Sequence, residues 1–323
     1  MEFNKSKKNF RLGLIGVGKW GSNYIKTIED VDCAELKIVA CKSLSKKRFL
    51  SDKYLLTDNW KDVTSSEEVD GIIIATPPKM HYEIAKSSIK SKKPVIIEKP
   101  VTLNSKDAKS LLSLALKNKV NVRVNHVYLY HPIYRALKKI IIHRNDLKSV
   151  FSEAGNFGPF RTDITPLWDW APHDIAMCLD LLGEMPSKVN AKYTKKIFEK
   201  GFKKSNVNIT LEFKNIISEI NIGNLMEYKK RFLKLNYQNE SYIFDPITYD
   251  LPQEEKNKFI KEINNKNYYE KYKYTDKPLN ILLNDFIYDL FNDRFDVSDL
   301  KLAVKVVIII ELVEKILSKK FKV

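Results

Sequence analysis

Cysteine is scarce. The three present, Cys33, Cys41 and Cys178, lie too far apart for the paired spacing of a zinc site or a disulfide framework. No metal site is expected. Long apolar runs are also missing. The longest uncharged run near the C-terminus, Val306–Ile310, is bounded by Lys305 and Glu311. That is far short of the roughly 18–20 residues a membrane span requires, so it reads as buried helix and no membrane partner is expected. The opening stretch MEFNKSKKNF has no apolar core of the kind a secretory leader carries, which predicts a cytoplasmic protein. Acidic residues are outnumbered, 40 against 56 Lys and Arg, for a net charge of +16. Yet no run exceeds three basic residues and no nucleic-acid module signature is present, so no nucleic-acid partner is expected. A diffuse positive field suits an anionic small molecule, and a plain bias toward Lys and Asn yields the same charge.

At 323 residues the chain has room for two domains with their own cores. The first part alternates short apolar runs with helical patterns. Arg11–Gly18, Glu35–Cys41, Gly71–Thr76, Pro94–Glu98 and Asn121–Val127 read as strands. Helical stretches run over Ser22–Glu29, Met80–Ile89 and Ser105–Lys117. Strands alternating with helices at this spacing imply a doubly wound parallel sheet, placed here in residues 1–124. After that the grammar changes. Val207–Phe213, Ile216–Ile222, Lys230–Tyr237 and Glu240–Asp245 are consecutive strands, with Lys214-Asn215 and Gln238-Asn239 as hairpin turns whose Asn tolerates positive φ. Residues 125–323 are therefore expected to form an α+β domain with an open, largely antiparallel sheet. It closes on helices over Leu279–Phe291 and Val297–Lys319, which can pack back on the first domain. Ile209, Leu211 and Phe213 share one face by their period of two. That face suits helices, and the other suits a second subunit in a homodimer or homotetramer.

Glycine is sparse as well, ten in all, but three of them form Gly16-Val17-Gly18-Lys19-Trp20-Gly21. This G-x-G-x-x-G follows a strand and opens a helix, the context in which glycines let backbone N–H groups approach a pyrophosphate. NAD sites usually place an acid about twenty residues further on, for the ribose 2′-hydroxyl. Here the second strand runs into Cys41-Lys42-Ser43-Leu44-Ser45-Lys46, with no acid. Lys42, Ser43 and Lys46 suit a 2′-phosphate, so NADP is favoured over NAD.

LIGVGKWGSNYI, DGIIIATPPKMHYEIA, VIIEKPVTL, HVYLYHPIYRALKKI and WDWAPHDIAMCLDLLGEMP, in this order, resemble the Gfo/Idh/MocA family. These are the dehydrogenases related to glucose–fructose oxidoreductase and inositol dehydrogenase. The resemblance covers nearly the whole chain. It implies a Rossmann domain and a second domain on an open sheet, and NAD(P)-dependent hydride transfer to or from a sugar hydroxyl or ketone. It further implies that Ala75, Thr76, Pro77 and His81 line the cofactor cleft. Lys99 would be the catalytic lysine, Glu98 would stand near the nicotinamide ribose, and His173 with Asp169 would be the acid/base pair. The usual D-x-G-x-H-x-x-D pattern is altered by Ala171 and Ala176. Asp174 instead makes a W-D-x-x-P-H-D variant, similar to the branch acting on nucleotide-linked sugars. Non-catalytic, cofactor-binding regulators also occur in the family and are the alternative, but they do not require Lys99, His173 and Asp169.

The chemistry of these residues agrees. Ligands of open α/β sheets bind at the carboxyl ends of the strands, where Lys99 is expected to stand, fixed by Pro100. An ammonium there stabilises charge developing on oxygen and can move a proton. Pro172 suits the first position of a helix whose apolar face is Ile175, Cys178, Leu179 and Leu182, ended by Gly183. His173 would then lie in the first turn, where the helix dipole disfavours imidazolium. Asp169 would precede the helix, and Asp174 would be an acid complementing the dipole. Arg161, Tyr128 and Trp168 are candidates to hold the substrate, Arg161 through paired hydrogen bonds. His126 and His131 read as structural.

Overall fold

The structure is a computed structural model that describes residues 9–42, 50, 52–142, 144–199, 201–246 and 276–319. The chain divides into two compact units, residues 1–126 with 279–307, and residues 127–278 with 308–323.

The first unit is a six-stranded sheet. Strands β1 (Phe10–Ile15), β2 (Ala34–Ala40), β3 (Leu55–Thr57), β4 (Gly71–Ile74), β5 (Val95–Glu98) and β6 (Val122–Asn125) lie in the order β3-β2-β1-β4-β5-β6. Every pairing in it is parallel. Between the strands come α1 (Lys19–Glu29), α2 (Trp60–Ser65), α3 (His81–Lys90) and α4 (Ser105–Asn118). β4 and β5 read GIII and VIIE and are buried at every position. A strand covered on both faces has no reason to alternate, which is why these runs are continuously apolar. The order reverses between β1 and β4, the switch point at which open α/β sheets bind ligands.

The second unit holds α5 (Pro132–Ile142), β7 (Leu147–Phe157), α6 (Pro166–Leu182), β8 (Lys188–Glu199), β9 (Phe202–Glu212), β10 (Ile217–Gly223), β11 (Leu225–Tyr237) and β12 (Ser241–Phe244). The sheet order is β12-β11-β7-β10-β9-β8, antiparallel except for the parallel pair β7 and β10. Helix α6 packs on β10, β7 and β9, and Ile209, Leu211 and Phe213 are buried, as their period requires. The two hairpin turns close by Phe213 N–H donating to the Ile216 carbonyl and Tyr237 N–H to that of Glu240. Neither Asn215 nor Asn239 takes positive φ. Among described non-glycine residues only Lys92, Lys119 and Asp293 do, so the conformational argument for those asparagines was mistaken.

Helix α7 (Pro278–Phe291) and the first part of α8 (Ser298–Lys319) belong with the first unit, so the second is not the continuous stretch 125–323. The clasp is ionic and polar. Arg123 on β6 pairs with Asp289, with Asp296 at 2.9 Å and with Asp299 at 3.5 Å. Asn121 donates to the Arg294 carbonyl at 2.7 Å and accepts from Asp296 N–H at 2.9 Å.

Candidate active site

The register sets Ile15 beside Ile74 and Ile74 beside Ile97. Gly16, Ala75 and Lys99 therefore follow directly on the carboxyl ends of β1, β4 and β5, with Glu98 the last residue of β5. Gly16 has φ +98°, and a Cβ there would lie 2.6 Å from the Ala75 carbonyl oxygen. A Cβ on Gly21 would lie 2.0 Å from the Gly16 carbonyl, whereas one on Gly18 would meet nothing within 4 Å. Thus two glycines let the turn pack and the third leaves open space at the helix start. Helix α1 begins at that point with no side-chain cap and no acid in its first turn. Uncapped N–H groups and open space are what a pyrophosphate requires. The buried Thr76 hydroxyl, at the same end of the strands, has no hydrogen-bond partner among the described residues. Lys19 is exposed and Trp20 half-buried; Lys42 is exposed after the buried Cys41. Ser43 and Lys46 lie outside the described residues.

His81 does not line a cleft. It is fully buried, with its ring nitrogens 2.8 Å from the carbonyl oxygens of Pro100 and Thr76. It ties the end of β4 to the Glu98-Lys99-Pro100 turn. Burial lowers its proton affinity, the two carbonyls push it back up, and the charge of Lys99 lowers it further. His126 is held down at about 3 by burial and then by Lys99, and His131 at about 4 by burial. Both stay neutral at pH 7, in keeping with packing roles.

Glu98 is 5% exposed and accepts from Tyr24 Oη at 3.1 Å and Asn125 Nδ2 at 2.6 Å. Burial pushes its carboxyl up to about 7, against the opposing effects of Asn125, Lys99 and Tyr24. A carboxyl with a raised folded pKa binds its proton more tightly in the native state. Its stabilising contribution is thus present below pH 4.5, the unfolded value, and is lost as pH rises through about 7. The expected loss is on the order of 3 kcal/mol. Urea unfolding of wild type and Glu98→Gln between pH 4 and 8 checks this. The gap between the two should vary across that window, and a constant gap would mean that folding does not raise the proton affinity of Glu98.

The helix carrying the second set of residues starts earlier than its sequence suggested. Thr165 caps α6, accepting from Trp168 N–H at 3.4 Å, and Pro166 takes the first position, so Pro172 lies inside the helix. His173 is consequently mid-helix, and the dipole argument for its neutrality does not hold. Asp169 is the first-turn acid instead. The i, i+4 spacing puts Asp169 and His173 on one stripe, and Trp170 and Asp174 on the next.

Asp169 accepts from Arg161 Nη1 at 3.3 Å, while two other N–H groups of Arg161 grip Asp163 at 3.0 and 2.7 Å. The guanidinium fork is thereby committed to two neighbouring acids. Trp168 is buried and donates from Nε1 to Glu314 at 3.3 Å, so packing replaces the substrate contact expected of it. Tyr128 sets its ring edge-on to His173, with centroids 4.9 Å apart. Asp174 is not a surface acid at all. It is fully buried, accepts from Ser152 Oγ and pairs with Arg231 at 2.7 Å. Arg231, itself 6% exposed, lies 4.7 Å from the Tyr128 ring centroid and 5.7 Å from that of Trp170. Arg231 is not among the residues that the sequence motifs single out. Strand alternation carried the signal, because Arg231 shares its parity with the buried Leu233 and Leu235.

Comparison with known proteins decides the family. The model of the oxidoreductase family with an NAD-binding Rossmann fold, Gfo/Idh/MocA, matches residues 10–126. A crystal structure of a protein from Magnetospirillum magnetotacticum MS-1, assigned to the oxidoreductases, is 30% identical with a TM-score of 0.82. That match covers 94% of this chain and 99% of the other. The chain belongs to the Gfo/Idh/MocA family. Among curated relatives, UDP-N-acetylglucosamine 3-dehydrogenase of Acidithiobacillus ferrooxidans is 26% identical over 57% of this chain and 58% of its own. The NADP(+)-linked scyllo-inositol 2-dehydrogenase IolW of Bacillus subtilis is 24% identical over 56% of this chain and 54% of its own. The chain thus spans a little over half the length of these curated relatives. Among the described residues no His, Cys, Asp and Glu cluster suits a metal, and no helix is long and apolar enough to cross a membrane.

Proposed function

We propose that the protein is an NAD(P)-dependent dehydrogenase or reductase acting on a sugar or nucleotide-sugar hydroxyl or ketone. One observation carries the reading. The register of β1, β4 and β5 brings the glycine turn, Ala75-Thr76 and Glu98-Lys99 together at the carboxyl ends of adjacent strands, at the switch point. Gly16, Gly18 and Gly21 would hold the pyrophosphate with the start of α1, and Thr76, Pro77 and Glu98 would flank the rest of the dinucleotide. When bound, the dinucleotide gives or takes a hydride. Lys99 supports negative charge on the substrate oxygen, His173 exchanges the hydroxyl proton, and Asp169 orients the imidazole. The named activities of the two curated relatives, on a nucleotide sugar and an inositol, support this substrate class. A panel of sugars, inositols and nucleotide sugars screened for nicotinamide absorbance change tests it. Binding of dinucleotide without turnover on any member would favour a regulator.

The finer cofactor choice follows from the missing acid after β2. NADP(H) should bind at least as tightly as NAD(H) in calorimetric titration, and Ser43→Asp should reverse the order. NAD(H) binding tenfold tighter to wild type, about 1.4 kcal/mol, would defeat the argument. The face of the second sheet that no described helix covers, where Phe151 pairs with Phe232 and Ile217 is 54% exposed, is the surface we assign to a second copy of the chain. Light scattering should report a dimer or tetramer, and a monomer at micromolar concentration would exclude it.

A further inference from the structure

We propose that Arg231 is a positioning residue, locked by Asp174, that holds Tyr128 against the imidazole of His173. The proposal rests on the reading of His173 as the general base. Four observations converge on it. The guanidinium is buried, and Asp174 fixes it through a 2.7 Å ion pair. Ser152 occupies the other carboxylate oxygen of Asp174. The guanidinium lies near the rings of both Tyr128 and Trp170, at 4.7 and 5.7 Å. The Tyr128 ring in turn stands edge-on to His173 at 4.9 Å and 76°.

Each link has a geometric reason. Asp174 lies one residue beyond His173 on α6 and four beyond Trp170, so a cation pinned to Asp174 reaches the Trp170 ring on the same stripe. The strand β11 supplies that cation from its buried face. A planar guanidinium covers an aromatic face while keeping its hydrogen bonds in the plane, which an ammonium cannot do. Tyr128 is therefore held from one side by a fixed cation and offers its ring to His173 on another. Phe244 adds a further wall, its centroid 6.2 Å from that of Tyr128. An imidazole that must meet a proton in one direction loses rate when its plane is free to turn. A misplacement of about 1 Å can cost roughly 10²-fold.

The test uses the whole protein with ¹³C-labelled histidine. The chain has five histidines, so single replacements assign every imidazole signal. The double variant Arg231→Met with Asp174→Leu removes both charges and leaves neither buried alone. In it the His173 ring signals should move toward those of a Tyr128→Leu protein. The kcat should fall by up to about 10²-fold while the KM for the dinucleotide is unchanged. Arg231→Lys keeps the ion pair but loses the planar cover, so it should shift the same signals and not restore kcat. If the double variant does not fold, Arg231→Lys alone decides. His173 signals unmoved in a folded variant would reduce Arg231 to a structural partner of Asp174. If no sugar is turned over by wild type, the function proposed above fails, yet the histidine signals still decide the role of Arg231.

Discussion

Lys99→Met should lower turnover by about two to three orders of magnitude, the scale seen when one donor that stabilises developing charge is removed. Methionine keeps the length and apolar stem of lysine and removes the ammonium, so packing at the end of β5 should survive. The backbone there is set by other groups. Glu98 is held by Tyr24 and Asn125, and the Pro100 carbonyl lies 2.8 Å from the His81 ring. The dinucleotide should therefore bind the variant within a few-fold of wild type, because the glycine turn and Thr76 belong to neighbouring strands. The charge of Lys99 is also one cause of the lowered proton affinity of His81 and His126. Its ammonium thus stands among imidazoles that stay neutral and cannot replace it as a cation. Steady-state kcat with calorimetry of dinucleotide binding checks both halves. A loss of less than tenfold would remove Lys99 from the chemistry. A matching loss of dinucleotide affinity would make it a cofactor ligand.

The first unit was legible, apart from the short strand β3 and helix α2, because each of its other signals has one cause. GIII and VIIE are apolar throughout because both faces are covered, and glycines spaced 16, 18 and 21 have separate steric reasons. The second unit shows β9 to β12 in its sequence but hides β7 and β8. β8 runs KVNAKYTKKIFE, an edge strand whose lysines are solvated on the outer face, and it reads as a charged surface segment. β7 mixes Ser, Glu and Gly into its alternation, and its partners lie far along the chain, on β10 and β11. Helix α6 was misplaced for a local reason. Thr165-Pro166 is a cap followed by proline at the first position, but Pro172 offers the same proline signal nearer the histidine. Only the packed helix shows that Pro172 is accommodated in its interior. That shift changed the roles of four residues. Asp169 moved into the helix, His173 lost its dipole, Asp174 became buried, and Trp168 turned to Glu314.

His173→Asn should cost roughly 10²–10⁴ in turnover and flatten the limb of the pH–rate profile that reports the general base. Asparagine retains a polar planar group of similar reach but cannot take the proton. Asp169→Asn should fall between wild type and the histidine variant, because the base remains while its orienting carboxylate charge is gone. Arg161 then keeps only Asp163 as an ionic partner at this position. Asp174→Asn is expected to differ in kind. Removing one member of a buried pair leaves the other charge uncompensated, which costs about 3–5 kcal/mol. The Asp174 side chain has no exposure and that of Arg231 only 6%, so solvent cannot relieve it. The three variants should thus separate on two axes, kcat in the folded protein and the denaturant midpoint. The histidine variant should be slow and close to wild type in midpoint. The Asp174 variant should be the least stable, with a smaller loss of kcat. If Asp174→Asn instead abolishes turnover at wild-type stability while His173→Asn keeps it, the proton passes through Asp174. The ion pair with Arg231 would then be part of the chemistry, no longer a support behind it.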